Sequence, residues 1–373
     1  MPARSSDLVT LFLCGDVMLG RGIDQLLAHP SDPALLEGYV KDARDYVALA
    51  EDLHGPIVRP VEPGYVWGDA LPALERAAPD ARLINLETSV TASCDYWPDK
   101  GIHYRMHPGN RACLTVARID ACALANNHVL DFGQAGLLET VAALREAGLQ
   151  TSGAGRDLSE ARAPARLPLR EGRQLLFFSA GTDLSGIPPE WAAGENQPGV
   201  DRLPDLSEAT ASQLAARVRS HVRPGDLAVV SIHWGSNWGY HLPAEQLRFA
   251  RRLIDEGVDL IHGHSSHHPR PIELYRGKLI LHGCGDFIND YEGIRGYEDL
   301  RSDLRLMYFA TLEAQTGALR ELRVVPLQTH ALRLRPAGPE DVQWLSRTLS
   351  AVSEPYGVRL LQHDGELVMV SRG

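Results

Sequence analysis

The chain has 373 residues, 44% of them hydrophobic and 23% charged, which describes a globular protein long enough for one large domain or two. Its 37 basic and 48 acidic residues leave a formal charge of −11. That balance argues against a nucleic-acid partner, whose backbone needs clustered Lys and Arg, but leaves room for a local basic pocket for an anion.

In chain order, apolar runs alternate with amphipathic ones. Residues 9–14 predict a buried strand ending at Gly15-Asp16, and 82–84 a second ending at Asn85-Leu86-Glu87. A third, 121–125, ends at Asn126-Asn127-His128. Residues 134–146 carry Leu137, Leu138, Val141 and Leu144 at helical spacing, with Gly148 as the stop. Residues 56–68, rich in Pro and Gly, read as a surface loop, and 183–205 as a second loop beside the active edge.

A strand at 174–179 precedes a helix at 207–221, a Pro224-Gly225-Asp226 turn and a strand at 227–232 ending in His233-Trp234. A helix at 244–256 leads to a strand at 259–261, and 278–281 is a further strand ending at His282. Residues 306–312 and 321–325 resemble antiparallel strands joined by a turn at Gln315-Thr316-Gly317. A helix at 339–352 and a strand at 366–370 close the chain.

Strand after strand ends in Asp, Glu, Asn or His. In open α/β sheets the ligand crevice lies beyond the carboxyl ends of the strands. The densest such end is 261–268, where four of eight residues are histidine: His262, His264, His267 and His268. Imidazole is a common metal ligand and the usual acid or base at neutral pH. Asp16, Glu87, Asn127, His233 and His264 are therefore candidate ligands, although a lone Asp or Asn at such a position more often caps a helix or a turn. This mixed oxygen and nitrogen set suits Ca²⁺, Mn²⁺, Fe or Zn, with Ca or Mn favoured. Asp131 lies three residues after His128 and can orient it, and Asp286 can pair with a cluster histidine such as His267. His128, Asp131, His267 and Asp286 are thus the candidate acid–base residues.

No apolar run approaches a secretory core or a membrane span, and segment 1–7 leads directly into the first strand. A cytoplasmic protein with no membrane partner is expected. The five cysteines are odd in number and widely spaced, which predicts reduced thiols.

Together Cys14 to Gly20, Asn85-Leu86-Glu87, Ala125 to Gly133, Ser152 to Gly155, His233-Trp234-Gly235, Gly263 to His267 and Gly285-Asp286-Phe287 resemble the CapA family of capsular poly-γ-glutamate synthesis proteins. The resemblance implies an α/β fold, the calcineurin-like four-layer αββα sandwich, with a metal site at the strand ends. It implies ligand positions at Asp16, Glu87, Asn127, His233 and His264 or His267, and a proton-handling role for His128. It suits one domain over 1–373, with 331–373 a helix-strand extension packed on it. One departure stands out: the expected Asp-x-His start is here Asp16-Val17-Met18, which weakens a two-metal site.

Members of that family often carry a membrane anchor, and a soluble branch resembles lasso-peptide epimerases. The resemblance therefore points to a metal-dependent peptide epimerase that moves a Cα proton between two His/Asp pairs, with a peptide substrate. A metallophosphoesterase and a non-catalytic polyglutamate-binding capsule component are the alternatives.

Overall fold

The computed structural model describes residues 7–371. Residues 1–6 and 372–373, and with them most of the N-terminal lead-in and the very end of the expected extension, lie outside the described residues.

Two sheets form the middle of the molecule. The ten-stranded sheet has Leu8–Val17 near its centre. On one side Leu8–Val17 pairs in parallel with Ala81–Leu86, followed by Ala121–Ala123 and Gln150–Ser152. On the other it pairs antiparallel with Leu304–Glu313, followed by Leu319–Thr329. The six-stranded sheet runs Ile272–Tyr275, Lys278–Leu281, Leu260–His264, Leu227–His233, Gln174–Gly181, Ala165–Pro168, parallel through its four middle strands.

The strands pack both faces because alternate residues point to opposite sides. Leu11, Leu13 and Leu83 of the first sheet meet Phe177, Val229 and Leu260 of the second in a dry core. Phe12, Cys14 and Ile84 point the other way, onto Val47, Leu74, Leu137 and Val141 of the helices Arg44–His54, Ala70–Ala77 and Gly133–Glu146. On the far face of the second sheet, Phe178, Val230 and Ile232 pack against Leu214, Phe249 and Leu253 of Glu208–His221 and Ala244–Asp255. Helices therefore cover both outer faces, and the chain forms the expected four-layer αββα sandwich. Truncating one central aromatic such as Phe177 to Ala would cost roughly 3–5 kcal/mol.

The expected strands are present and mostly longer than the apolar runs that announce them. The Leu260–His264 strand carries His262 and His264 within it, so the histidine cluster begins inside the sheet. The helices Arg44–His54 and Ala70–Ala77 and the strands Ile272–Tyr275 and Val358–His363 are additions to the sequence reading.

Two expectations need correcting. The C-terminal segment is not a helix and one strand: Pro339–Ser353 leads into a hairpin, Val358–His363 with Glu366–Ser371. Glu366–Ser371 extends the first sheet by pairing with Leu319–Thr329, and Val342, Leu345 and Leu349 join the core between the sheets. Segment 56–68 is irregular, but it is not all surface, because it ends in the buried Val66 and Trp67.

One close approach positions the site. Gly15 lies against Gly285 so closely that a Cβ on Gly15 would overlap the Gly285 carbonyl oxygen. The contact lets Asp286–Ile288 run beside the end of the first strand, with Asp16 and Asp286 on one rung.

Candidate functional site

The strand ends of both sheets converge on one crevice. Asp16, Asn85 and Asp286 come from the first sheet, His233 and His264 from the second, and Glu87, Asn127, His128 and His267 from the turns that follow. Asp16, His233 and His264 are buried and offer donor atoms that all lie within 4.8 Å of one another.

The Nδ1 atoms of His233 and His264 face each other at 2.8 Å, and the Asp16 Oδ1 lies 3.8 Å from the His264 Nδ1. On its other edge His233 Nε2 is 3.1 Å from the Asn127 Oδ1 and 3.8 Å from the Glu87 Oε1. Asn85 Nδ2 donates to Asp16 Oδ1 at 2.7 Å and reaches Glu87 Oε2 at 3.3 Å, fixing the two acids side by side.

Burial and the neighbouring Asp286 push the Asp16 carboxyl up to about 7. Burial, Asp16 and Asp286 push Glu87 up as well. Burial drives His233 and His264 well below their ordinary value, so both rings stay neutral, the form in which imidazole ligates. Crowded buried carboxyls beside facing neutral imidazoles fit a divalent cation, whose charge reverses the repulsion between the acids. The donors are oxygen and imidazole nitrogen. Burial raises the thiols of Cys14 and Cys284 far from thiolate, so neither joins them as a ligand or a nucleophile.

His128 stands beside this set, its Nε2 3.8 Å from Glu87 Oε1. Its Nδ1 lies 2.7 Å from Asp131 Oδ2, which also accepts a 2.6 Å bond from the Tyr104 backbone N–H. Burial pushes His128 down to about 4, and Lys100 adds to the effect against the pull of Asp131. Asp131 resists its own burial because His128 and Lys100 hold it ionised, below its ordinary value.

Lys100 is the residue that sequence reading missed. Its Nζ donates to Asp131 and to the Asn127 carbonyl and lies 3.1 Å from His128 Nδ1. The Trp97-Pro98-Asp99-Lys100-Gly101 segment has no periodic pattern, and a lysine in such a turn ordinarily points to solvent.

His267, at the partly exposed mouth, sets its Nδ1 2.9 Å from Asp286 Oδ1. Asn289 donates to Asp286 Oδ2 at 2.7 Å, and Arg305 Nη1 lies 3.6 Å from the same oxygen. Burial lowers the affinity of His267 for a proton, but Asp286 outweighs it and holds the ring above its ordinary value. Met18, where the sequence pattern lacks a histidine, meets the Tyr291 hydroxyl at 3.8 Å. The Tyr291 ring in turn stands edge-on to His267.

The remaining cluster residues face elsewhere. His262 Nε2 is bound at 2.7 Å to the Cys14 carbonyl, tying one sheet to the other. His268 Nε2 accepts from the Gly239 backbone at 2.9 Å. His282 turns away to Glu273 at 2.9 Å, a partner supplied by the unforeseen Ile272–Tyr275 strand. The 183–205 loop borders the site through Gly186, which packs on the Asn127 side chain. No helix among the described residues is long and apolar enough to cross a membrane.

Residues 10–291 match the profile of the family described as bacterial capsule synthesis protein PGA_cap. A relative named probable polyglutamine synthesis accessory protein, from Mycobacterium tuberculosis, is 48% identical over 99% of this chain and 97% of its own length. The PGA biosynthesis protein CapA of Bacillus subtilis is 26% identical over 91% of this chain and 76% of its own length. A solved structure described as a novel phosphatase of Mycoplasma pneumoniae superposes with a TM-score of 0.47 at 10% identity, covering 90% of this chain and 96% of that one.

Proposed function

We propose that this chain, which belongs to the PGA_cap family of bacterial capsule synthesis proteins, is a metal-dependent hydrolytic enzyme. In this reading it cleaves an acyl or phosphoryl bond by acid–base chemistry, on a polyglutamate- or polyglutamine-type chain or its precursor. The substrate class is supported by the names of its relatives.

The observation that carries the reading is a pair of histidines in one crevice with opposite surroundings, His128 buried beside Lys100 and His267 at the mouth against Asp286. His128 is pushed down to about 4, while His267 is held above its ordinary value. Both rings are close enough to His233 to depress it further. Environments that drive like groups apart assign one as base and the other as acid.

Asp16, Glu87, Asn127, His233 and His264 would hold the cation. When bound, it supplies stabilisation of negative charge at a carbonyl or phosphoryl oxygen. Asp131 accepts the Nδ1 proton of His128, leaving Nε2 free to take a proton from water. Lys100 keeps Asp131 charged and so keeps that tautomer. His267, held at Nδ1 by Asp286, presents Nε2 to protonate the leaving group.

A second reading, epimerisation at Cα of a lasso-type precursor peptide, is favoured by one observation: two separate His/Asp pairs are formed. One base would remove the Cα proton and the other acid would return it on the opposite face.

One experiment separates the two. Metal-replete protein is incubated in D₂O with glutamate and glutamine oligomers, a lasso-type peptide and an activated phosphodiester, and the products are read by mass spectrometry. Metal-dependent cleavage supports hydrolysis. Deuterium at Cα in intact chains supports epimerisation. Neither change on any substrate sinks both readings.

A further inference from the structure

Away from the crevice, a cleft of about 130 Å³ opens between segment 201–204 and the helix Glu208–His221. Arg162, Arg202 and Arg217 line it, against one carboxylate, Asp201. The buried Asp201 takes Arg162 Nε at 3.3 Å and Arg217 Nη2, and so anchors two of the three cations. Arg202 donates through Nε to the Ile187 carbonyl at 3.2 Å, and its Nη2 lies 3.5 Å from Asp183 Oδ2 at the more exposed end.

These contacts leave donors over. Arg217 Nη1 is buried with no hydrogen-bond partner among the described residues. Among the described residues only the Nε of Arg162 is engaged, leaving its two terminal nitrogens for another group. A guanidinium offers five N–H donors in a planar fork that matches an oxyanion. Three arginines against two aspartates, Asp201 within the recess and Asp183 at its Arg202 end, leave a net positive recess on a chain of net charge −11.

The recess is tied to the crevice by register. Arg202 bridges to Gly181, Gly181 pairs with His233, and His233 pairs with His264. With strands about 4.8 Å apart, the Arg202 backbone lies about 10 Å from that of His233. A peptide residue spans about 3.3–3.6 Å when extended. A substrate chain lying over the surface between the two would need at least about three residues to place a side chain in the recess.

We infer that this recess is a subsite for a carboxylate carried by the substrate chain, and so selects acidic over neutral polymers. The inference rests on the proposed function for the nature of the chain, but not for the existence of the oxyanion site.

The test is calorimetric titration, at low ionic strength, of His128→Gln protein, in which no turnover is expected to disturb the heats. The probes are a glutamate decamer, a glutamine decamer and inorganic phosphate. The expected result is that the glutamate decamer binds more tightly than the glutamine decamer, and that added Arg162→Gln or Arg217→Gln weakens only the former, by about tenfold. Arg162 is exposed and its removal leaves Arg217 on Asp201, so Arg162→Gln keeps the test open if Arg217→Gln fails to fold. Equal affinity for both decamers, or an Arg162→Gln change under twofold, overturns the subsite. Phosphate binding more tightly than the glutamate decamer also overturns it, by assigning the recess to a phosphate. If wild-type protein turns over no substrate while arginine-dependent glutamate binding persists, the enzymatic reading falls and the subsite stands.

Discussion

Asp16 and Asp286 share one rung of adjacent parallel strands, which puts two buried carboxyl groups side by side. Burial and this neighbour hold the Asp16 proton up to about 7. An unfolded aspartic acid releases its proton near 3.9. Between those values the unfolded chain binds fewer protons, so folding stability falls as pH rises. Metal-free protein should melt several degrees lower at pH 8 than at pH 5, and Asp16→Asn should flatten that slope. Added divalent metal should raise the midpoint more at pH 8 than at pH 5. Differential scanning fluorimetry reads all three, and a metal response that shrinks with pH would contradict the assignment.

His264→Ala and His233→Ala should each lower the metal content of purified protein, read by plasma mass spectrometry against protein concentration. The same assay on wild-type protein identifies the ion among Ca, Mn, Fe and Zn. Full occupancy in both variants would place the cation elsewhere.

His128→Gln should lower turnover about 10²–10⁴-fold, the usual worth of a positioned proton carrier, while leaving the metal content unchanged. Asp131→Asn should show a smaller loss, because it disturbs the tautomer without removing the base. Activity within threefold of wild type in His128→Gln would remove that residue from the chemistry.

Lys100→Met removes a cation whose field helps hold His128 down. The His128 titration, followed by NMR of its ring carbon-bound protons, should then move upward from about 4. A downward move would mean that burial dominates and that Lys100 acts only as a tether.

Gly15→Ala should destabilise the fold by roughly 1–3 kcal/mol or more, since the added methyl meets backbone rather than a movable side chain. Circular dichroism melts give the value. A melting temperature equal to that of wild type would contradict the close approach of Gly15 to Gly285.

Much of the layout is legible before any coordinates. Buried strands need continuous apolar runs, so Asp16, Asn127 and His233 stand out as polar residues where such runs stop. His128 and Asp131 meet within one turn, so their spacing alone implies contact. What stays hidden depends on contacts distant in sequence. Lys100 has meaning only once its segment folds back over Asp131. His282 looks like a site residue until the strand Ile272–Tyr275 brings Glu273 to it. The hairpin strand Val358–His363 escapes notice because only Val358 and Leu360 are buried along it.

The crevice draws its donors from both sheets, with Asp16 on one and His233 and His264 on the other. A cation seated there would act as a rivet through two plates, resisting any slide of one across the other. The oily filling between the plates then becomes a remote control on the site. A cavity cut at Phe177 should loosen ion retention without touching a single donor.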